Sequence, residues 1–149
     1  MAKTWLIDTN VLVDVWQADA DFGPASLAVL ERLGAANVLV INPVLYAEVS
    51  AWIDSKERLD SLLPEDIFRN EPIPADAAFL AGRAFRRYKE RGGTKPRMLA
   101  DFLIGARAAV CGYGLVSRDR GYMRSNCSTR QVTPNDLPHQ AARSHVHFY

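Results

Sequence analysis

The chain has 149 residues, of which 48% are hydrophobic, and it carries 18 basic and 17 acidic side chains. That length and apolar content are enough for one hydrophobic core and leave no room for a second full domain. A formal net charge of +1 excludes a strong overall attraction to nucleic acids or anionic membranes, so any such preference must be local.

The cysteines and the N-terminal residues lead us to expect a soluble, cytoplasmic protein with no membrane partner. Cys111 and Cys127 form no C-x-x-C pair and have no histidine nearby at a zinc-like spacing, which is typical of a reducing compartment. The apolar part of "MAKTWLIDTN" is too short for a signal peptide. No apolar run approaches the roughly 20 residues that span a bilayer.

In the first third of the chain, short apolar runs alternate with segments of helical period. "TWLI" predicts a strand, "TNVLVDVWQ" a helix opened by Thr9 or Asn10, and "ASLAVLERLG" a helix that stops at Gly34. "NVLVI" predicts a second strand. The following "NP" supplies an N-cap and a first-turn proline for the helix "PVLYAEVSAWID".

The rest of the chain predicts further helices and two more strands. Residues 55–93 have a mostly helical pattern, broken at Pro64 and at "EPIP" and stopped at Gly92 and Gly93. "RMLADFLIGARAAVCG" predicts a helix before "GLVS", a short strand, and "RQVTP" is the candidate for the last strand. The stripe of this helix expected to face the core is Leu99, Phe102, Leu103, Ala106 and Val110.

Strands separated by helices predict an α/β fold with a parallel sheet covered on both faces. Ligands of such sheets bind at the carboxyl ends of the strands. Asp8 directly follows the first strand, and Asp119 lies two residues beyond "LVS", so both are expected at this edge. Asp101 is expected there too, because it lies in the first turn of a helix that should run antiparallel to the next strand.

Each acid near this edge also has an ordinary structural explanation. Asp8 is placed to cap a helix, Asp101 to balance a helix dipole, and Asp119 to begin the turn "SRDRG". Glu48 lies four residues before Trp52, on the helix side expected to pack, where an arginine is one suitable partner.

Taken together, the four carboxylates predict a metal site. Four acids at one sheet edge repel one another, and a hard divalent cation with oxygen ligands, Mg²⁺ or Mn²⁺, relieves that repulsion. A site for a softer metal is not indicated, because His139, His145 and His147 all lie near the C-terminus. Asp14, six residues after Asp8, is interpreted as a surface or structural acid.

Four segments, "LIDTNVLVD", "LYAEV", "ADFLIGARA" and "LVSRDRGY", resemble the PIN-domain family in their order and spacing, and specifically the VapC toxins of bacterial toxin–antitoxin pairs. The resemblance covers roughly residues 5–135. It implies a three-layer α/β/α sandwich with a central parallel sheet, here over residues 1–137 with a C-terminal tail at 138–149. It also implies an endoribonuclease that depends on Mg²⁺ or Mn²⁺, is inhibited by a cognate antitoxin and is commonly a homodimer.

The resemblance assigns the family's acidic residues to Asp8, Glu48, Asp101 and Asp119, and its small polar residues near the metal to Asn10 and Ser117. Threonine is more usual at the position of Ser117. Asp8 and Asp101 are expected to be the principal metal ligands, and Asp119 a direct or water-bridged ligand. Glu48 has two possible roles, as ligand of a second ion or as the group that orients the attacking water. Asn10 and Ser117 are expected to orient carboxylates and waters.

The segment "RAFRRYKERGGTKPR", residues 83–97, has seven basic side chains and one acid. Basic residues at a helix C-terminus complement the dipole, which is the structural explanation. The functional explanation is that the segment holds the RNA backbone beside the acids, since only three residues separate Arg97 from Asp101. The predicted RNA-binding residues are Arg86, Arg87, Arg91, Lys95 and Arg97.

Three other functions are compatible with acids at strand ends. A receiver-type phosphoacceptor is disfavoured because "VTPND" lacks the lysine that such proteins place after the last strand. A carboxylate-metal DNA nuclease of flap or exonuclease type has similar chemistry but needs additional elements to grip its substrate. A catalytically silent module that binds RNA or protein with the same fold remains open.

Overall fold

The structure is a computed structural model in which residues 2–96, 98–118 and 131–132 are described, the last two by their backbone. The strands are β1 (Thr4–Ile7), β2 (Val38–Ile41), β3 (Phe68–Asn70), β4 (Gly114–Val116) and β5 (Gln131–Val132). The helices are α1 (Thr9–Trp16), α2 (Gly23–Gly34), α3 (Pro43–Ser50), α4 (Lys56–Leu62), α5 (Ala75–Glu90) and α6 (Met98–Cys111).

Within the described residues the strands form one parallel sheet in the order β3-β2-β1-β4-β5. Because side chains alternate along β1, Trp5 and Ile7 join the core beneath α1 to α4, and Leu6 faces the opposite side. On that opposite side, Ile104 and Ala108 of α6 pack on the sheet. Helix α5 packs against α6. The predicted α/β fold, a parallel sheet between two helical layers, is confirmed.

The prediction that residues 55–93 are helical apart from breaks was wrong at β3, which pairs with β2 from Phe68 to Asn70. This strand lies at the end of the sheet, and of its three residues only Phe68 is buried. A three-residue edge strand therefore lacks the apolar alternation by which strands are recognised in a sequence.

The stripe predicted to bury α6 was also partly wrong. Leu99 and Val110 are exposed, whereas Ile104 and Ala108 are buried against the sheet. Phe102 and Ala106 are buried against α5, as the stripe predicted. Helix α6 lies between the sheet and α5, so it buries two faces, and a single stripe cannot describe it.

Helix α3 is shorter than "PVLYAEVSAWID", because it ends at Ser50. Its N-cap is as predicted: the side chain of Asn42 accepts a hydrogen bond from the backbone of Leu45 at 3.0 Å. Trp52 lies beyond the helix and is 70% exposed, so the packing expected on its side of α3 is absent there. Within the described residues, no helix combines the length and apolar content needed to cross a bilayer.

A buried ion pair ties α6 to the end of the edge strand. Arg107 is buried, its Nη2 pairs with Oε2 of Glu71, and its Nη1 donates to the backbone oxygen of Pro72. The same Oε2 accepts a hydrogen bond from the Tyr113 hydroxyl at 2.9 Å. These contacts join β3, α6 and the start of β4, and so fix the helix that carries Asp101.

Candidate functional site

Asp8 is the centre of the candidate site. It follows β1 in the N-cap position of α1, but its side chain makes no capping hydrogen bond. Instead its Oδ2 accepts hydrogen bonds from the Ser117 hydroxyl at 2.6 Å and from Nδ2 of Asn10 at 3.1 Å. The backbone N–H of Asp8 donates to Val116 at 2.9 Å, so β4 fixes its main chain as well. The carboxylate is thus oriented by two elements and does not serve as a simple helix cap.

Asn10 and Ser117, predicted to lie near the metal, both contact Asp8. Asn10 uses its amide twice, because Nδ2 donates to Asp8 while Oδ1 accepts from the backbone N–H of Arg118 at 3.2 Å. The side chain of Asn10 therefore bridges α1 to the residues that follow β4. That Asn10 and Ser117 orient metal-binding carboxylates and waters stays a prediction.

Glu48 is half-buried on α3 and has a partner that the sequence did not suggest. The hydroxyl of Thr9, in the first turn of α1, donates to Oε2 of Glu48. In the described part of the chain, no arginine pairs with Glu48, so the structural explanation by a salt bridge finds no support there. The sequence indicates Thr9 only as a residue that opens α1. Its position next to Asp8 is the one sequence feature that could have marked it as a site residue.

Asp101 lies in the first turn of α6, as predicted, and is half-buried. Its charge acts on Asp8. The pKa of Asp8 is raised from 3.8 to about 6, mainly by burial, with a smaller contribution from the nearby charges of Asp101 and Glu48. Hydrogen bonds from the Ser117 hydroxyl and the backbone of Thr9 partly oppose this rise. Three of the four predicted acids therefore interact electrostatically at the carboxyl edge of the sheet.

The oxygen donors at this edge suit a hard divalent cation. Over residues 2–96 and 98–118, no three histidine, cysteine, aspartate or glutamate side chains are close enough together to form a metal-binding group. Asp119, the predicted fourth acid, lies outside the described residues. A buried carboxylate with two further acids near it fits a cation chemically, because a positive ion offsets both the burial and the repulsion.

Asp14 was interpreted as a surface or a structural acid, and its contacts favour the structural one. It is buried, and its Oδ2 accepts a hydrogen bond from the Ser26 hydroxyl at 3.1 Å. The second group near it is Arg118, whose Nε lies 3.3 Å from the same oxygen. Arg118 was missed as a site residue, although it stands between two predicted site residues in the sequence.

The basic segment has the exposure that a nucleic-acid contact needs. Arg86, Arg87, Arg91 and Lys95 are exposed, and Arg97 lies outside the described residues. Arg86 pairs with Glu90 at 2.9 Å, so part of its charge is already balanced. The segment covers the second half of α5 and the residues that precede α6 in the sequence, and Asp101 lies in the first turn of α6.

The raised pKa of Asp8 predicts how its replacement changes stability with pH. The folded state binds the Asp8 proton more tightly than the unfolded state, so metal-free protein loses stability as pH rises from 3.8 to about 6. Above that window the loss is complete, at about 2–3 kcal/mol. Asp8→Asn should therefore be more stable than the parent by up to this amount at pH 7.5 in EDTA, and equal to it below pH 3.8.

Urea unfolding of both proteins between pH 3.5 and 8 in EDTA measures this difference. Titrating groups that do not interact with Asp8 are common to the two proteins, so the difference reports Asp8 together with the acids coupled to it. An Asp8→Asn variant that is less stable than the parent at pH 7.5 would instead identify Asp8 as a structural residue.

The fold and the site define an α/β protein with an acidic cluster at the carboxyl edge of a parallel sheet. A family model described as "PIN domain" matches residues 5–125, and the chain belongs to this family. No curated protein sequence matches the chain.

Several solved structures share the fold. One is VapBC2 from Rickettsia felis bound to a DNA fragment from its promoter, with 18% identity, a TM-score of 0.66, and coverage of 87% of this chain and 98% of that one. FitAcB from Neisseria gonorrhoeae has 19% identity, a TM-score of 0.64, and coverage of 89% and 99%. VapBC-1 from nontypeable Haemophilus influenzae has 13% identity, a TM-score of 0.68, and coverage of 89% and 98%. At these identities the similarity establishes the fold alone.

Proposed function

We propose that this protein is an endoribonuclease that depends on Mg²⁺ or Mn²⁺ and acts in the cytoplasm as the toxin of a toxin–antitoxin pair. The observation that carries the proposal is the environment of Asp8, a buried carboxylate held by Asn10 and Ser117 with two more acids close enough to raise its pKa. That environment is unfavourable without a cation, and it lies where parallel sheets bind their ligands.

The residues divide the work of phosphodiester hydrolysis. A bound divalent cation supplies an acidified water and offsets charge on the phosphoryl group. Asp8 and Asp101 would hold it, with Asp119 as a direct or water-bridged ligand. Ser117 and Asn10 fix the orientation of the Asp8 carboxylate.

Glu48 is proposed to have one of two roles, either as ligand of a second ion or as the group that orients the attacking water. Its Oε2 is held by the Thr9 hydroxyl, which leaves its other carboxylate oxygen for an attacking water or a second ion. Because Thr9 and Asp8 are neighbours in the chain, this contact also keeps Glu48 close to the acid that it is proposed to assist.

The direct test is cleavage of labelled single-stranded RNA by purified protein. Cleavage should occur with Mg²⁺ or Mn²⁺ and stop in EDTA, and activity undiminished by the chelator would rule the proposal out. A matched DNA oligonucleotide distinguishes the DNA-nuclease alternative. A Mn²⁺ titration distinguishes the silent module, because that module has no need to bind the ion.

The basic segment is proposed to hold the RNA backbone. Changing Arg87, Arg91 and Lys95 together to glutamine should weaken RNA binding about equally for different sequences, because contacts to phosphates carry no sequence information. The dependence of binding on salt should become shallower, by about 0.7 in log–log slope per lost phosphate contact. Mn²⁺ affinity, measured in parallel, should not change. RNA binding like that of the parent across a salt series would identify the segment as a solvated helix end.

The proposed partners are a cognate antitoxin and a second copy of the chain. Support for the antitoxin comes from structures of the same fold that are described as toxin–antitoxin complexes, such as one from Klebsiella pneumoniae with 22% identity and a TM-score of 0.63. A free cytoplasmic ribonuclease would also damage the RNA of its own cell.

We expect the chain to copurify with the product of the gene immediately upstream when the two are expressed together. Expression of the chain alone should arrest growth, and coexpression should relieve the arrest. Asp101→Asn is the control, because the inactive chain should be harmless alone and still copurify. A parent chain that is harmless alone and has no such neighbour would contradict the toxin role, and the nuclease activity would remain to be judged by the cleavage assay.

A further inference from the structure

Arg118 connects the candidate site to α1 through both its main chain and its side chain. Its backbone N–H donates to Oδ1 of Asn10 at 3.2 Å, and its Nε lies 3.3 Å from Oδ2 of Asp14, one helical turn further along α1. The carbon at the centre of its guanidinium lies 4.2 Å from the centre of the Phe22 ring. Its neighbour in the chain, Ser117, donates to Asp8. The guanidinium is therefore held against α1 by Asp14 and Phe22, one turn along the helix from the Asn10 contact.

The residues that the structure describes leave some donors of this guanidinium unused. A guanidinium has five N–H groups in a planar fork, and here Nε faces Asp14. Over residues 2–96 and 98–118, neither terminal nitrogen of Arg118 donates a hydrogen bond, and its side chain is 37% exposed. The side chain thus presents an oriented cation to solvent, one turn of α1 away from Asn10, which contacts Asp8.

We propose that Arg118 binds a backbone phosphate of the RNA beside the scissile bond. This inference rests on the proposed ribonuclease function and names a substrate contact for it. A phosphodiester that approaches Asp8, Asp101 and Glu48 is repelled by them, and an arginine at the same edge offsets that repulsion. The planar fork matches two phosphate oxygens. Because Phe22 and Asp14 already restrict the side chain, binding loses little conformational freedom.

The competing explanation is that Arg118 exists only to balance Asp14. Burial raises the pKa of Asp14, and the charge of Arg118 acts against that shift, as does the hydrogen bond from Ser26. If this were the whole role of Arg118, replacing Asp14 by asparagine would remove the need for the arginine. The two explanations therefore differ in what a double variant does.

The experiment uses full-length chains that carry Asp101→Asn, so that RNA is bound without being cut. In this background we compare the unaltered chain, Arg118→Gln, Arg118→Lys, Asp14→Asn and the double variant of Arg118→Gln with Asp14→Asn. Arg32→Gln is the matched control, because Arg32 is exposed near the end of α2, which leads into the opposite edge of the sheet. Binding of a fluorescent single-stranded RNA is measured by anisotropy over a salt series with Mg²⁺ present, and melting temperatures confirm folding.

Arg118→Gln should weaken RNA binding about tenfold at low salt, as expected for one charge-assisted contact. Its log–log salt slope should fall by about 0.7. The double variant should keep this loss, Arg118→Lys should recover only part of the affinity, and Arg32→Gln should bind like the unaltered chain. Affinity equal to that of the unaltered chain in Arg118→Gln, or full recovery in the double variant, would overturn the inference and leave the ribonuclease intact. Absence of RNA binding and RNA cleavage by the parent would overturn both.

Discussion

Replacing Asp8 or Asp101 with asparagine is expected to abolish RNA cleavage. Removing a group that only orients a metal ligand typically lowers metal affinity or activity about 10- to 100-fold. We expect a loss of activity of this size for Ser117→Ala. A ligand itself should cost more, since its removal takes away charge as well as orientation. The expected order of remaining activity is therefore parent, then Ser117→Ala, then the two asparagine variants, measured as initial rates of cleavage of one RNA under saturating Mg²⁺.

A matched control for Asp101 is available in α5. Asp76 is the first-turn acid of α5, as Asp101 is of α6, so both complement a helix dipole. Asp76→Asn should keep full activity. Asp101→Asn should lose activity without losing metal-free stability, because one of several repelling charges has been removed. Equal activity losses in the two variants, or a large loss of metal-free stability in Asp101→Asn, would show that Asp101 serves the helix and not the chemistry.

The positions of Asp8 and Asp101 in the fold could be predicted from the sequence because they follow from local signals and one topological rule. An apolar run marks β1, and the residue after it must lie at the carboxyl edge if the sheet is parallel. The same reasoning put Asp101 at the start of a helix that runs back along the sheet, whereas Ser117 was assigned to the site only by the family resemblance. No distance between side chains was needed for these placements.

The contacts among the site residues could not be predicted, because they join distant parts of the chain. Thr9 and Glu48 are 39 positions apart, and Asn10 and Arg118 are 108 apart. Such pairs depend on how α1 and α3 meet the strands, which no local pattern encodes. The exposure of Trp52 has the same origin, because it depends on α3 ending at Ser50.

The sequence pattern did not predict burial correctly in elements that pack against two other elements or that lie at the edge of the sheet. Helix α6 buries residues against the sheet and against α5, so its apolar positions are not one stripe. Strand β3 has one buried residue in three, so it carried no strand signal. Arg107 shows the limit most clearly, since a charged residue inside "ADFLIGARA" would ordinarily be assigned to solvent and is instead buried.

Arg107→Gln is expected to lower the free energy of unfolding by about 3–5 kcal/mol, the usual result of removing one member of a buried ion pair. Glu71 would lose its partner on α6 while remaining partly buried, and the backbone oxygen of Pro72 would lose its donor. Arg69 and Tyr113 still contact Glu71, so the loss should lie near the lower end of that range.

Arg86→Gln is the matched control, because Arg86 and Glu90 form an ion pair of the same chemistry whose side chains are 70% and 59% exposed. Exposed pairs contribute about 0–1 kcal/mol, so this variant should unfold almost like the parent in urea.

Since α6 carries Asp101 in its first turn, loosening the helix through Arg107→Gln should also reduce cleavage by the molecules that remain folded. Equal stability losses in the two variants would mean that burial adds nothing to the Arg107–Glu71 pair, and that α6 is held in place by its apolar contacts alone.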